Sequence, residues 1–311
     1  MWHIILNIVI LIASILALVK GSDIFINQSS AIARKYRIPE FLIGITIVAF
    51  GTSLPEFIIS IVAAIQGSTE ITVSNVVGSS IANVGFILAV TAMFGAIKIH
   101  KGNLKFDIPL SVVSVLIFLG ILFFSHGSVN WIVGILFLLI FAIYFVIVYL
   151  REKRKDTGQS IGLRIKVRPL LFVLGLLLIG AGGKFAVDST VEISRVLGIS
   201  EGFAGFTILS IGSSLPELIV SIMALRKGKD ELSLGNIIGS NFFNLFFIIG
   251  VSAFITPLSF EGYITELVVL VLYNLALLTA ALIGRRFYIS KREGVFLLIS
   301  YIFLIIYLYY R

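Results

Sequence analysis

Cysteine is absent from the 311 residues, which excludes disulfides, thiolate metal centres and thiol nucleophiles. Histidine is nearly absent: His3, His100 and His126 are scattered near the ends of apolar runs, so no imidazole cluster suggests a metal centre. Charge is scarce too. Only 13% of residues are charged against 59% hydrophobic, with mean hydropathy +1.10, too little polar side chain to cover a soluble globule of this size. There is no HExxH, DDxxD or aspartyl-protease pattern and no Ser-His pair at membrane depth, which argues against an intramembrane enzyme. The net charge of +8 is not a nucleic-acid signal, because no soluble domain carries a basic face.

What the chain has instead is apolar runs long enough to cross a bilayer, which takes about 20 residues. Ten are predicted, over 4–20, 41–66, 71–97, 106–125, 129–150, 169–187, 202–226, 231–257, 263–284 and 293–310. The fold class expected is therefore an all-α polytopic membrane protein of ten transmembrane helices. The first run follows Met1-Trp2-His3, with no charged leader segment and no small-residue cleavage site after Ala17, so it reads as a retained span.

The basic residues orient these spans. The joint 151–168 carries Arg151, Lys153, Arg154, Lys155, Arg164, Lys166 and Arg168. Placing it in the cytoplasm puts twenty-one of the 24 Lys and Arg inside, with Lys184, Arg195 and Arg311 outside, the bias that the positive-inside rule requires. Both termini are then expected outside the cytoplasm. The expected organisation is a five-helix half over 1–150, a basic linker over 151–168 and a second five-helix half over 169–311.

The halves are copies. Glu217 lies 161 positions after Glu56 and Asn244 lies 161 after Asn83, and 18 of the 40 positions from 44 to 83 are identical to their counterparts. Gly44, Thr46 and Ile47 recur as Gly205, Thr207 and Ile208; GTSLPE at 51–56 recurs as GSSLPE at 212–217. Five spans separate a residue from its copy, so the copy runs through the membrane in the opposite direction. Inverted repeats are an architecture of secondary transporters, with substrate at the repeat interface.

Each copy places a proline and a glutamate inside an apolar helix, at Pro55-Glu56 and Pro216-Glu217. Proline frees the carbonyl four residues earlier, here Gly51 or Gly212, and the adjacent Gly-Thr-Ser or Gly-Ser-Ser weakens the helix further. Freed carbonyls survive at membrane depth only in protein or beside a wet cavity, and a carboxylate there needs a partner. No Lys or Arg lies in the middle of a span, and a bound cation satisfies both demands.

Calcium takes six to eight oxygens, which Glu56, Glu217 and carbonyls can supply. Ser79 and Asn83, like Ser240 and Asn244, are spaced i,i+4 and share a helix face. The hydroxyls of Thr52, Ser53, Ser213 and Ser214 suit a weaker monovalent ion such as sodium. Asn75 and Asn236, with Gly78 and Gly239 in SNVVG and GNIIG, read first as a small-residue packing motif and second as ligands. Asp23, Asp188 and Glu192 lie near span ends and receive no transport role.

GTSLPE and GSSLPE, followed by NVVGSSIAN at 75–83 and NIIGSNFFN at 236–244, resemble the two alpha-repeats of the cation/calcium exchanger superfamily, specifically its prokaryotic sodium/calcium exchangers. The resemblance covers both halves in order. It implies ten helices, with spans 2, 3, 7 and 8 forming the ion sites and spans 1 and 6 sliding across them, a contact that Gly180, Gly182 and Gly183 suit. It implies Glu56 and Glu217 as acidic ligands, Ser79 and Ser240 as hydroxyl ligands, and Asn83 and Asn244 as polar partners. Thr52, Ser53, Ser213 and Ser214, with the carbonyls of Ala49 and Ser210, complete the set.

In the potassium-dependent branch an aspartate is associated with the Asn244 position, so asparagine implies a potassium-independent exchanger. The expected function is sodium/calcium antiport without a cofactor, its partners being the two ions and the lipid bilayer. Two alternatives stay open. A proton/calcium exchanger of the same superfamily carries a different motif around its acidic residue, and a channel would not need inverted repeats. The sequence does not set an oligomeric state.

Overall fold

The computed structural model describes residues 2–35, 49–100, 102–153, 168–283 and 287–310. Among the described residues eight helices are long and apolar enough to cross a membrane, and a bent pair, counted as one span, makes nine. In chain order the helices are α1 (Trp2–Lys35), α2 (Ala49–Thr52), α3 (Leu54–Gln66), α4 (Thr69–Phe94), α5 (Asn103–Phe124) and α6 (Trp131–Lys153). The second half holds α7 (Pro169–Leu197), α8 (Glu201–Ser213), α9 (Leu215–Arg226), α10 (Asp230–Ile255), α11 (Ile264–Ile283) and α12 (Lys291–Tyr310). The bent pair is α8 with α9. Its counterpart is α2 with α3, whose preceding stretch, 41–48, lies outside the described residues, as do Gly44, Thr46, Ile47 and most of the 151–168 linker.

Nine of the ten expected spans have a counterpart among the described residues, two of them with clear departures; of the span expected over 41–66 only 49–66 is described, as the short α2 and α3. The runs expected over 4–20 and 169–187 are helices of 34 and 29 residues, about 50 and 44 Å long at 1.5 Å per residue. Both exceed the roughly 30 Å hydrocarbon core, so they tilt or project beyond it. Hydropathy missed the extra turns because they carry Asp23, Asn27 and Gln28 in one helix and Asp188, Glu192 and Arg195 in the other.

These two long helices pack on each other through small residues. A Cβ on Gly182 would lie 2.9 Å from the Ser14 carbonyl oxygen, and one on Gly21 would lie 3.0 Å from that of Gly175. Gly182 is the copy of Gly21, and Gly175 is the copy of Ser14. The interface is therefore self-complementary, each half offering to the other the surface it receives.

At the centre stand α4 and α10. Of their apolar windows 83% and 78% are buried, against 17% to 39% for the other spans, which marks them as the interior pair. Each is interrupted by a π-helical stretch, Asn83–Leu88 in α4 and Phe243–Ile248 in α10, the kind of bulge that gathers at functional sites. Around α10 the space is filled by aromatic rings: Phe118 stacks on Phe137 at 5.2 Å, and both meet Phe246 edge-on. In α4 the counterpart of Phe246 is Gly85, and Tyr273 and Tyr301 occupy the room its missing side chain leaves.

Two short antiparallel ribbons join the halves. β1 (Ile97–Lys98) pairs with β4 (Tyr288–Ile289), and β2 (Ser128–Val129) with β3 (Leu258–Ser259). Each ribbon takes one strand from each half. Two-residue strands carry no period that a sequence reading can detect.

Candidate functional site

The helix breaks expected from proline fall one residue before the Leu-Pro step. Ser53 (φ −88°, ψ 12°) separates α2 from α3, and Ser214 (φ −84°, ψ 8°) separates α8 from α9, the second pair being bent by 40°. The two breaks have the same backbone geometry because they have the same local sequence. α1 lies over both: a Cβ on Gly51 would collide with the Ile26 side chain, and one on Gly212 would lie 2.5 Å from Ile15 Cδ1.

Just past each break the glutamates point inward, Glu56 and Glu217 each only 1% exposed. They are held by hydroxyls of the opposite half. Ser53 donates to Glu217 Oε1 at 2.8 Å, and Ser214 donates to Glu56 Oε1 at 2.6 Å. Ser240 joins the first of these, 3.3 Å from Glu217 Oε1 and 3.0 Å from Ser53 Oγ. This crossed bonding brings both carboxylates, both breaks and α10 to one place. Among the described residues no basic side chain forms an ion pair with either glutamate.

The unpaired atoms identify what the place can hold. Glu56 Oε2, Glu217 Oε2, Asn83 Oδ1, Asn244 Oδ1, Ser79 Oγ and Asn75 Oδ1 are buried without a hydrogen-bond partner among the described residues. A buried polar group without a partner costs about 1–3 kcal/mol, and a charged one more. These six oxygens, two on the broken helices α3 and α9 and four on α4 and α10, are of the kind a hard cation takes. No group of three or more His, Cys, Asp or Glu occurs among the described residues, so the donors are two carboxylates plus neutral oxygens, as calcium and sodium accept and softer metals do not favour.

The remaining expected ligands are placed less uniformly. Thr52 donates to Asn236 Oδ1 at 3.3 Å. Ser213 turns back to the Ser210 carbonyl at 3.4 Å, which also accepts from Ser214 N at 3.2 Å, and the Ser210 hydroxyl donates to the Phe206 carbonyl. Ala49 opens α2, one turn before the break. The twelve expected residues thus fall on the broken helices and on α4 and α10, with Thr52, Ser53, Glu56, Asn83, Ser214, Glu217 and Ser240 in direct polar contact across the two halves.

Asn75 and Asn236 do more than let helices approach. Asn75 Nδ2 donates to the Glu56 carbonyl at 3.3 Å and to Ser60 Oγ at 3.0 Å; Asn236 Nδ2 donates to the Glu217 carbonyl at 3.3 Å and to Ser221 Oγ at 3.2 Å. These amides tie α4 to α3 and α10 to α9 next to each glutamate. The signal was in the sequence, since Ser60 and Ser221 recur at the same spacing as the glutamates. Asn241, bonded to Asn83 at 2.8 Å, gave no such signal because its counterpart is Ser80.

Ser214→Ala removes the side-chain hydroxyl that donates to Glu56. A hydrogen bond to a charged group contributes about 1.5–3 kcal/mol, so thermal unfolding of the ion-free protein in detergent should show a loss of that size. Gly180→Ala, where a Cβ meets nothing within 4 Å, should show none.

Fold and oxygen set together define a multi-pass membrane protein of the cation-transporter class. The sodium/calcium exchanger protein family matches residues 6–150 and 167–310, nearly the whole chain. The chain belongs to that family, in its prokaryotic branch within the cation/calcium exchanger superfamily.

Among relatives, it is 32% identical to the sodium/calcium exchanger MaX1 of Methanosarcina acetivorans over 98% of this chain and 99% of that one. It is 30% identical to the inner membrane protein YrbG of Escherichia coli over 80% and 79%. Among solved structures it is similar to the sodium-calcium exchanger NCX_Mj soaked with Na+ and Sr2+, with TM-score 0.68 and 30% identity over 97% of this chain and 98% of that one.

Proposed function

We propose that this protein is a secondary antiporter that exchanges sodium for calcium by alternating access, electrogenically and without potassium. Its site is taken to comprise Glu56, Glu217, Ser79, Ser240, Asn83, Asn244, Thr52, Ser53, Ser213 and Ser214, with the carbonyls of Ala49 and Ser210. The carrying observation is the pair of buried glutamates, cross-bonded between the halves, each with one oxygen unpaired. The topology proposed with it is ten spans in two inverted five-helix repeats in the plasma membrane, both termini extracytoplasmic. The repeat spacing and the distribution of Lys and Arg support that topology.

Two carboxylates supply a charge of −2. One calcium neutralises it, and several sodium ions do the same with help from hydroxyls and carbonyls; sharing the oxygens makes the two loads exclude each other. That competition couples the fluxes. With three sodium ions per calcium one net charge crosses per cycle, worth about 2.3 kcal/mol per 100 mV. Asn244 in place of an aspartate keeps the charge at −2, which supports independence from potassium.

The test is calcium-45 uptake into proteoliposomes loaded with sodium, potassium, choline or acid. Uptake that requires internal sodium, and accelerates when external potassium and valinomycin make the interior positive and slows when the interior is made negative, is the expected result. Equal uptake driven by internal acid would move the protein to proton/calcium exchange, and uptake indifferent to the internal cation would replace antiport by a channel.

A further inference from the structure

The repeats are not equivalent at one position beside the site. Ser80 in α4 donates to its own helix, at the Val76 carbonyl 2.9 Å away. Its copy in α10 is Asn241, which reaches across and accepts a hydrogen bond from Asn83 Nδ2 at 2.8 Å. Both asparagines are buried, 1% and 3% exposed, and Asn83 Oδ1 has no partner among the described residues.

An asparagine amide has a donor end and an acceptor end. Bonding the donor end of Asn83 to α10 fixes the direction of the other, which is the oxygen. Turned by half a rotation, Asn83 would present its NH2 to a cage of acceptors, and a donor facing a cation repels it. The copy of Asn83, Asn244, lacks this anchor: the Ser80 hydroxyl is turned to its own helix, and the hydrogen bonds of the described residues include none between it and Asn244.

We propose that Asn241 is a positioning residue for the cation site: by accepting from Asn83 Nδ2 it holds Asn83 Oδ1 toward the ion, so that the two equivalent asparagines contribute unequally. The inference rests on the cation-site reading above. Asn241 itself need not touch the ion. It acts as the outer partners of metal ligands do, whose loss costs about 10–100-fold in affinity.

The test is a mutant cycle read by calorimetric calcium binding to the detergent-purified full chain. Asn241→Ser, the residue type that the first repeat uses, and Asn241→Leu, which keeps volume but has no acceptor, are each made in the native background and in Asn83→Asp. Both oxygens of an aspartate accept, so its orientation needs no anchor. Calcium affinity is expected to fall about tenfold for either Asn241 variant in the native background, and less than about threefold in the Asn83→Asp background.

An equal loss in both backgrounds would mean that Asn241 acts through packing, and no loss in the native background would mean that it does not orient Asn83; either overturns the proposal. Asn241→Ser keeps the cycle readable if Asn241→Leu does not fold. Sodium-driven uptake by the same preparations separates the two claims. A native chain that binds calcium without exchanging it refutes the antiporter and leaves the cycle to judge Asn241, while a native chain that binds no calcium overturns both.

Discussion

Glu217→Gln and Glu56→Gln should each reduce sodium-driven calcium-45 uptake in proteoliposomes to the level of empty liposomes. Each substitution removes one of the two negative charges of the proposed ion site. A unit charge pair at 4 Å is worth about 4 kcal/mol at an effective dielectric constant of 20, and a divalent ion doubles it. At 1.4 kcal/mol per factor of ten, calcium binding should weaken by about a thousandfold or more. The folded state should survive, because glutamine keeps a carbonyl oxygen to accept from Ser53 or Ser214 and relieves an unpaired buried charge. The expected pair of results is therefore an unchanged or raised thermal midpoint in ion-free detergent, together with abolished uptake. Either variant retaining a tenth of native uptake would remove that glutamate from the site.

Gly78→Ala and Gly239→Ala should have opposite effects, although the two glycines are copies in the same motif. A Cβ on Gly78 would lie 2.7 Å from the Phe206 carbonyl oxygen and 3.0 Å from Phe206 Cα. Those are backbone atoms of a helix that cannot rotate away, so α4 must move off α8 and carry the adjacent Ser79 with it. Overpacking of this kind costs about 1–3 kcal/mol, and the displaced hydroxyl should weaken calcium binding at least tenfold as well. At Gly239 the nearest atom to a new Cβ is Tyr144 Oη at 3.8 Å, an ordinary contact. Alanine there gains up to about 1 kcal/mol of helix propensity. Thermal midpoints and calcium titrations of the two variants measure this directly, and equal losses would show that the Phe206 contact does not set the spacing of α4.

The difference between those glycines shows where reading the sequence stops. SNVVG and GNIIG both allow close approach, but only one meets a backbone, because α8 presses on α4 while a Cβ at Gly239 would meet only the Tyr144 hydroxyl, at 3.8 Å. Asn75 and Asn236 follow the same pattern. Their recurrence was visible, and their role in tying each glutamate's carbonyl to the neighbouring helix was not, since a hydrogen-bond partner 19 positions away is chosen by helix packing.

The membrane class, the duplication, the two helix breaks and the two glutamates were determined by the sequence alone. Each is a local or compositional property: apolar run length against bilayer thickness, proline against the helical hydrogen-bond ladder, a carboxylate against the cost of burial, every one repeated at a spacing of 161. The tertiary structure alone decided that Ser53 serves Glu217 and Ser214 serves Glu56, that ribbons join the halves, and that Asn241 anchors Asn83. These contacts join residues 129 to 192 positions apart, whose meeting depends on how whole helices pack, and no local preference encodes that.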